Sequence, residues 1–227
     1  MSLAPPTSAA PRLLPLTVPT PRISNVVATF TCGHKKLDLL RFAQQYSFEF
    51  QPSRFAACAI RIKNNKSRST ALAFSSGKFV VTGCRSEFES LLSSRKYISL
   101  LNRLGERLSF RGFKVQNIVS SVDLGRPLLL HKLVAKYTGE CSWENRKFPG
   151  AVLRDPKSNL VVLVFRSGKC VITGAKSKRQ LTKEWPALFQ KIVEFADYEN
   201  DNKCSREYAV ELRRKAERQP FDNGAVF

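Results

Sequence analysis

The chain has 227 residues, 38 of them Lys or Arg against 18 Asp or Glu, for a formal net charge of +20. That length holds one or two domains with a real core, and 43% hydrophobic residues with 10% aromatics exclude wholesale disorder. No apolar run approaches the roughly 18–20 residues of a spanning helix, so an integral membrane protein is excluded, and the charge points to a polyanionic partner.

The charge is not spread evenly. Residues 22–196 hold 31 basic and 11 acidic side chains, the whole excess, whereas residues 1–21 contain only Arg12 and residues 197–227 are close to neutral. A detachable basic tail is therefore not its source. The six cysteines (Cys32, Cys58, Cys84, Cys141, Cys170, Cys204) form no Cys-x-x-Cys pair, and the only histidines are His34 and His131. Cys32-Gly33-His34 is the nearest approach to a ligand pair, so no metal and no cofactor are expected. The scattered thiols read as small core residues in a reducing compartment. With two histidines and no recognisable carboxylate pair, little supports acid–base catalysis, and the chain is read as a non-enzyme.

In chain order, residues 1–21 carry six of the twelve prolines (Pro5, Pro6, Pro11, Pro15, Pro19, Pro21) and read as an extended, disordered leader. A transit peptide fits less well, because the prolines oppose an amphipathic helix. An internal repeat follows. Residues 76–86, Ser-Gly-Lys-Phe-Val-Val-Thr-Gly-Cys-Arg-Ser, recur as residues 167–177, Ser-Gly-Lys-Cys-Val-Ile-Thr-Gly-Ala-Lys-Ser, with seven of eleven positions identical. Asn25 in Ile23–Val27 matches Asn117 in Val115–Val119, and Phe55 matches Phe148. Three matches in one order imply a duplicated unit of about 90 residues, with copies at 22–110 and 111–197, and a pseudo-twofold pair of halves.

Each copy reads as the same sequence of elements. A β-branched strand opens it (23–31; 113–122) and a short helix follows (35–46; 127–136). Three strands come next, at 54–63, 69–75 and 78–85 in the first copy and at 148–154, 159–166 and 169–176 in the second. Ser-Gly punctuates the last two strands of each copy as a hairpin. A long amphipathic helix closes each copy, through Phe88, Leu91, Leu92, Tyr97, Leu100, Leu101 and Leu104 or through Leu181, Trp185, Leu188, Phe189, Ile192 and Phe195. Pro186 is expected to kink the second helix or to begin its second half. Along 78–82 both strand faces carry apolar residues, with Val80 opposed to Phe79 and Val81. One face has to cover the helices; the other is either a binding surface or half of a β-sandwich, and the few strands favour the former. Residues 198–227 read as a tail with a short amphipathic helix through Cys204, Tyr208 and Leu212.

With these motifs in order and duplicated, residues 22–197 resemble the TATA-box-binding protein family. The resemblance is carried by Arg54-Phe55-Ala56-Ala57, residues 70–78, Val81-Thr82-Gly83, Arg95-Lys96-Tyr97, residues 113–119, Phe148-Pro149-Gly150 and Thr173-Gly174-Ala175-Lys176. It implies an α+β fold: a pseudo-twofold saddle made of one curved ten-stranded antiparallel sheet with helices on its convex face. It also implies a nuclear general transcription initiation factor that lies on A·T-rich core-promoter DNA in the minor groove and nucleates a preinitiation complex. The family is the standard instance of minor-groove kinking by apolar wedges, so that mechanism comes with the resemblance and is not deduced from these residues.

Residue by residue, the resemblance makes Phe55 with Phe74, and Phe148 with Phe165, the intercalating pairs. Asn25 and Asn117 become groove-reading amides, with Thr82 and Thr173 beside them and Val27, Leu72, Val80, Val119, Leu163 and Val171 as the apolar floor. Arg61, Lys78, Arg85, Arg154, Lys169 and Lys176 become phosphate ligands at the rim. The implied partners are double-stranded DNA, general transcription factors resembling IIA and IIB, and RNA polymerase-associated promoter subunits, with no membrane partner.

Two departures stand out. The loop 63–69 is longer than the family's and lacks its proline. The loop before Phe148, where the family docks factor IIB, reads Trp143-Glu144-Asn145-Arg146-Lys147, with two cations where an acid and a leucine are usual. Trp143, Glu144, Arg146 and Lys147 are therefore partner-binding candidates: either the partner has changed with them, or the chain is a divergent family member with other partners. The alternatives are a divergent scaffold with relaxed DNA specificity, an RNA binder, and a nuclease whose metal would need Asp197, Glu199 and Asp201.

Overall fold

The computed structural model describes residues 17–33, 36–61 and 68–197. Nine strands and four helices follow one another as β1 (Arg22–Thr31), α1 (Leu39–Tyr46), β2 (Ala57–Arg61), β3 (Thr70–Phe74), β4 (Lys78–Cys84), α2 (Glu87–Arg103), β5 (Arg111–Asp123), α3 (Leu130–Lys136), β6 (Cys141–Ser142), β7 (Gly150–Arg154), β8 (Val161–Phe165), β9 (Lys169–Ala175) and α4 (Lys178–Val193). The strands form one curved sheet in the order β2-β3-β4-β1-β5-β9-β8-β7-β6. The order is a palindrome of the two repeats about the β1–β5 pair, which places the pseudo-twofold axis between those strands.

The sheet is one strand short of the ten expected. In the second repeat Cys141 and Ser142 of β6 pair with Leu153 and Val152 of β7; in the first, the corresponding contact is the single bridge Glu49–Ala59. Phe48 and Phe50 flank that bridge with their side chains packed against the core, as Cys141 and Trp143 flank Ser142 in the second repeat. Pro186 sits inside a continuous α4 and does not divide it. The leader's described part lies against α4, where the buried Trp185 donates from Nε1 to the Pro19 carbonyl at 2.8 Å. The proposed C-terminal helix and most of the 63–69 loop fall outside the described residues.

The helices cover one face of the sheet. Alternate strand residues (Val26, Ala28, Phe30, Phe79, Val81, Ile118, Val162, Val164, Ile172) are fully buried against helix residues such as Tyr97, Leu101, Trp185 and Ile192 in one continuous core. Phe30 and Phe79 stack at 4.9 Å with rings 9° apart, tying β1 to β4. Small residues let α2 lie close to the sheet: Ser90, Ser93 and Ser94 are all buried beneath it. Tyr97 donates a 2.7 Å hydrogen bond to the Ser69 carbonyl, so its hydroxyl is satisfied inside that contact. Each long helix begins at a serine cap, which accepts from the third helical amide: Ser86 from Glu89 at 3.0 Å and Ser177 from Gln180 at 3.1 Å.

Candidate nucleic-acid interface

The face opposite the helices is uncovered, and strand pairing fixes what it presents, because paired residues share a face. One cross-strand row runs Ala59–Leu72–Val80–Thr29–Lys114 across β2, β3, β4, β1 and β5. Its pseudo-twofold mate runs Val152–Leu163–Val171–Ser121–Arg22. Between the rows, at the centre, Asn25 pairs with Val119 and Val27 with Asn117. All six floor residues named from the sequence, both asparagines and both threonines therefore share this face, and all are half-buried.

Local geometry turns the asparagines into fixed donors. Between the pairs Val26–Cys84 and Ala28–Val81, β4 uses one residue more than β1, and β9 does the same against β5 between Ile118–Ala175 and Ser120–Ile172. The bulged residues are Gly83 and Gly174, at φ +93° and +99°. A Cβ on either would stand 2.6 Å from a backbone oxygen, Arg68 or Asn159, so glycine is required there. Their amides point away from the ladder and donate to Asn25 Oδ1 at 2.7 Å and Asn117 Oδ1 at 2.8 Å. A backbone N–H has to meet an oxygen, so the amide orientation of both side chains is settled. The Nδ2 groups lie beside Thr82 Oγ1 at 3.1 Å and Thr173 Oγ1 at 3.0 Å. Each NH2 carries two hydrogens, and one remains to be offered from the open face.

At the two ends of the face sit paired rings. Phe55 and Phe74 meet edge-on with centroids 6.0 Å apart and Phe148 and Phe165 at 5.7 Å, so all four expected wedge residues come together in two pairs. Phe55 is 52% exposed and Phe148 38%. Beneath the rings the strand residue is small: Ala57 in the first repeat and Gly150 in the second, where a Cβ would approach the Phe148 ring to 2.8 Å. Such exposed edge-to-face pairs are stiff apolar surfaces with no polar group to satisfy.

Of the rim cations, Arg61, Lys78, Arg85, Arg154, Lys169 and Lys176 are all exposed. Arg61 forms an ion pair with Glu49, also exposed, which is worth little and is readily exchanged for a phosphate. Arg22 and Lys114 were not expected here. The ladder between β1 and β5 slips at Ser24 and again at Gln116, which reverses the alternation and turns these two cations onto the open face. Ala59 and Val152 were missed as floor residues too; alternation from Arg61 and Arg154 is the signal that identifies them.

The loop before Phe148 divides. Glu144, Arg146 and Lys147 are exposed, with Lys147 paired to Glu144 at 2.6 Å. Trp143 instead packs against the core with its Nε1 buried. Burial pushes the Cys58 and Cys141 thiols up to about 11 and that of Cys170 to about 12, so these groups are unreactive thiols at neutral pH. Among the described residues no three His, Cys, Asp or Glu gather where they would hold a metal.

The family described as transcription factor TFIID, or TATA-binding protein, matches residues 20–104 and 112–195, one segment per repeat. A TATA-box-binding protein of Saccharomyces cerevisiae is 42% identical over 176 residues, covering 77% of this chain and 72% of that protein. That of Caenorhabditis elegans is 39% identical over 193 residues, covering 82% of this chain and 56% of that protein. A solved structure of Methanococcus jannaschii TBP is 32% identical, with a TM-score of 0.65, covering 78% of this chain and 99% of that one. Both repeats are matched, and the chain belongs to the TATA-binding protein family.

Proposed function

We propose that the open face binds A·T-rich duplex DNA through the minor groove and bends it, and that the chain thereby serves as a general transcription initiation factor in the nucleus. The observation that carries this reading is the twofold-repeated Asn–Gly–Thr cluster on an uncovered apolar face with a phenylalanine pair at either end. A·T and T·A pairs both present only acceptors in the minor groove, adenine N3 and thymine O2, which suit the outward hydrogens of Asn25 and Asn117. The guanine amino group would crowd Val27 and Val119 and meet the amide donors themselves, a steric and donor-against-donor conflict. The readout therefore separates A·T from G·C, and A·T from T·A poorly.

The rings supply the bend. A phenylalanine edge entering a base step replaces lost stacking with apolar contact, at a cost of a few kcal/mol per step that the wider protein–DNA contact offsets. Arg61, Lys78, Arg85 and their second-repeat counterparts Arg154, Lys169 and Lys176 then hold phosphates along the opened groove, fixing register without reading bases. Arg22 and Lys114 join them. The helical face stays free for promoter-complex partners of the kind represented by factors IIA and IIB and polymerase-associated subunits. Fluorescence-transfer bending of matched A·T-rich and G·C-rich duplexes tests the reading: the A·T-rich duplex bends and binds at least about tenfold more tightly. Equal affinity and no bend would defeat it.

The exposed Arg146 and the Lys147–Glu144 pair favour a second reading, a divergent scaffold with altered protein partners. On that reading replacing Phe148 and Phe165 with alanine leaves transcription intact, whereas the first reading requires both rings.

A further inference from the structure

An apolar cleft of about 90 Å³ lies beside α4, walled by Leu124, Leu128, Phe189, Val193 and Ala196. That is several times the space one water needs, enough for an aliphatic side chain. Thr17 and Pro19 of the leader line it too, with Asp123 and Arg126. The first repeat shows what such a place holds. β1 and β5 correspond through Asn25 and Asn117, 92 residues apart, and α2 and α4 through their serine caps, 91 apart. On that register Leu124 matches Cys32, Val193 matches Asn102 and Thr17 matches Ser109. The strand pair Thr31–Arg111 matches Asp123 and Pro19, which both line the cleft. In the first repeat Ser109 donates to the Cys32 carbonyl from its amide at 2.9 Å and from its hydroxyl at 3.2 Å. The preceding residue, Leu108, is buried in the core. Asn102 brackets its backbone, donating to its carbonyl at 2.9 Å and accepting its amide at 2.8 Å. Thr17 thus stands at the cleft in the position of Ser109, and the residue that matches Leu108 is Leu16.

We propose that the leader folds back over α4 and seats Leu16 in this cleft, a strap that caps the second repeat as the linker 104–110 caps the first. The Trp185 indole holds the strap through its 2.8 Å bond to the Pro19 carbonyl, three residues from Leu16. Val193 stands where the first repeat has Asn102, so the amide clamp is replaced by this indole bond and by apolar burial. Register selects the leader over other occupants. The tail leaves α4 as the linker leaves α2, and in that register Glu199 matches Leu108. A carboxylate in an apolar cleft is costly. A second copy of the chain has to displace Thr17 and Pro19, which already line the site. With Leu16 seated, this end of α4 is covered by the chain itself, and a partner reaches it only by displacing the leader.

The test is disulfide trapping in the full chain carrying Leu16→Cys and Val193→Cys, read by peptide mapping after mild oxidation. The counterpart pair Leu108 and Asn102, bridged by two hydrogen bonds, stands close enough for a disulfide. The five described native thiols are buried, and Cys204 stays in place as a competitor from the tail. Most molecules are expected to join the two introduced thiols within one chain, at least about tenfold faster than a chain with Leu3→Cys in place of Leu16→Cys. Leu16→Ser is expected to lower the melting midpoint by about 4 °C or more, and Leu3→Ser to leave it unchanged. Four outcomes overturn the proposal: a bond to Cys204 instead, which assigns the cleft to the tail; a bond between molecules, which assigns it to a second copy; equal rates from positions 3 and 16; or an unchanged midpoint for Leu16→Ser.

Discussion

Asn25 Oδ1 accepts the Gly83 amide at 2.7 Å, and Asn117 repeats the relationship with Gly174 at 2.8 Å. Each bond joins a side chain on a central strand to a bulge on its neighbour, so the direction of the amide proposed to read the groove is set by the backbone before any ligand arrives. Pre-orientation of this kind lowers the ordering cost of binding. Aspartate at either position keeps the acceptor for glycine and loses the outward donor. Asn25→Asp and Asn117→Asp are therefore expected to melt within a few degrees of the native protein and to lose about tenfold or more in affinity for A·T-rich DNA, read by anisotropy. A parallel loss of melting temperature would assign the asparagines to the fold alone.

The glycine side of the same bond makes the complementary prediction. Gly83→Ala and Gly174→Ala introduce a side chain at positive φ and a Cβ 2.6 Å from a carbonyl oxygen. Each is expected to destabilise the chain by about 1–3 kcal/mol in urea unfolding. Gly105→Ala, also at positive φ but with nothing within 4 Å of the added methyl, is the control that measures the dihedral cost alone.

Exposure separates the proposed wedges from the core. Phe55 and Phe148 stand half in solvent, whereas Phe79 is fully buried and stacked on Phe30. Phe79→Ala is expected to cost about 3–5 kcal/mol of stability. Phe55→Ala and Phe148→Ala should cost about 1 kcal/mol or less while abolishing most of the DNA bend seen by fluorescence transfer.

The two cations turned onto the open face by the strand slips carry a salt signature. If Arg22 and Lys114 each neutralise a phosphate, Arg22→Gln and Lys114→Gln each lower the slope of log affinity against log salt by about 0.9, with specificity unchanged. An unchanged slope removes that residue from the interface.

Asp155 supports the second repeat from within its β7–β8 loop. Burial opposes its charge, but hydrogen bonds from the Ser158 hydroxyl and amide, with Lys191 at 3.5 Å, outweigh it and hold the carboxyl below its usual value. The same loop carries the Asn159 carbonyl that abuts Gly174. A lowered native value stabilises the fold above the ordinary carboxyl pKa of about 3.9, and the contribution disappears as pH falls through the native value. Asp155→Asn is expected to cost about 1–2 kcal/mol at pH 7, and its stability should converge on that of the native chain in acid.

Much of this was legible in the sequence because the repeat supplies each signal twice. Asn25 in a β-branched run is ambiguous alone, and its recurrence at Asn117, with glycine following threonine in both copies, marks a site. The bulges at Gly83 and Gly174 announce themselves, since glycine inside a strand has few other uses. The slips at Ser24 and Gln116 do not: ordinary side chains occupy them, alternation read straight through places Arg22 and Lys114 on the wrong face, and only the ladder reveals the reversal. The tenth strand is reduced to the single bridge Glu49–Ala59, a difference between the repeats that no residue type in 46–50 announces. Trp143 likewise reads as a surface anchor in a polar loop, and the structure buries its indole nitrogen.

The central claim is that Asn25, Asn117 and the apolar floor read the minor groove, and inosine tests it most directly. Inosine paired with cytosine keeps the major-groove edge of G·C but lacks the guanine amino group, so its minor groove resembles that of A·T. Affinity should be high for an A·T-rich duplex, low for its G·C counterpart and largely restored when every guanine becomes inosine. Inosine-substituted DNA bound as weakly as G·C DNA would contradict the account.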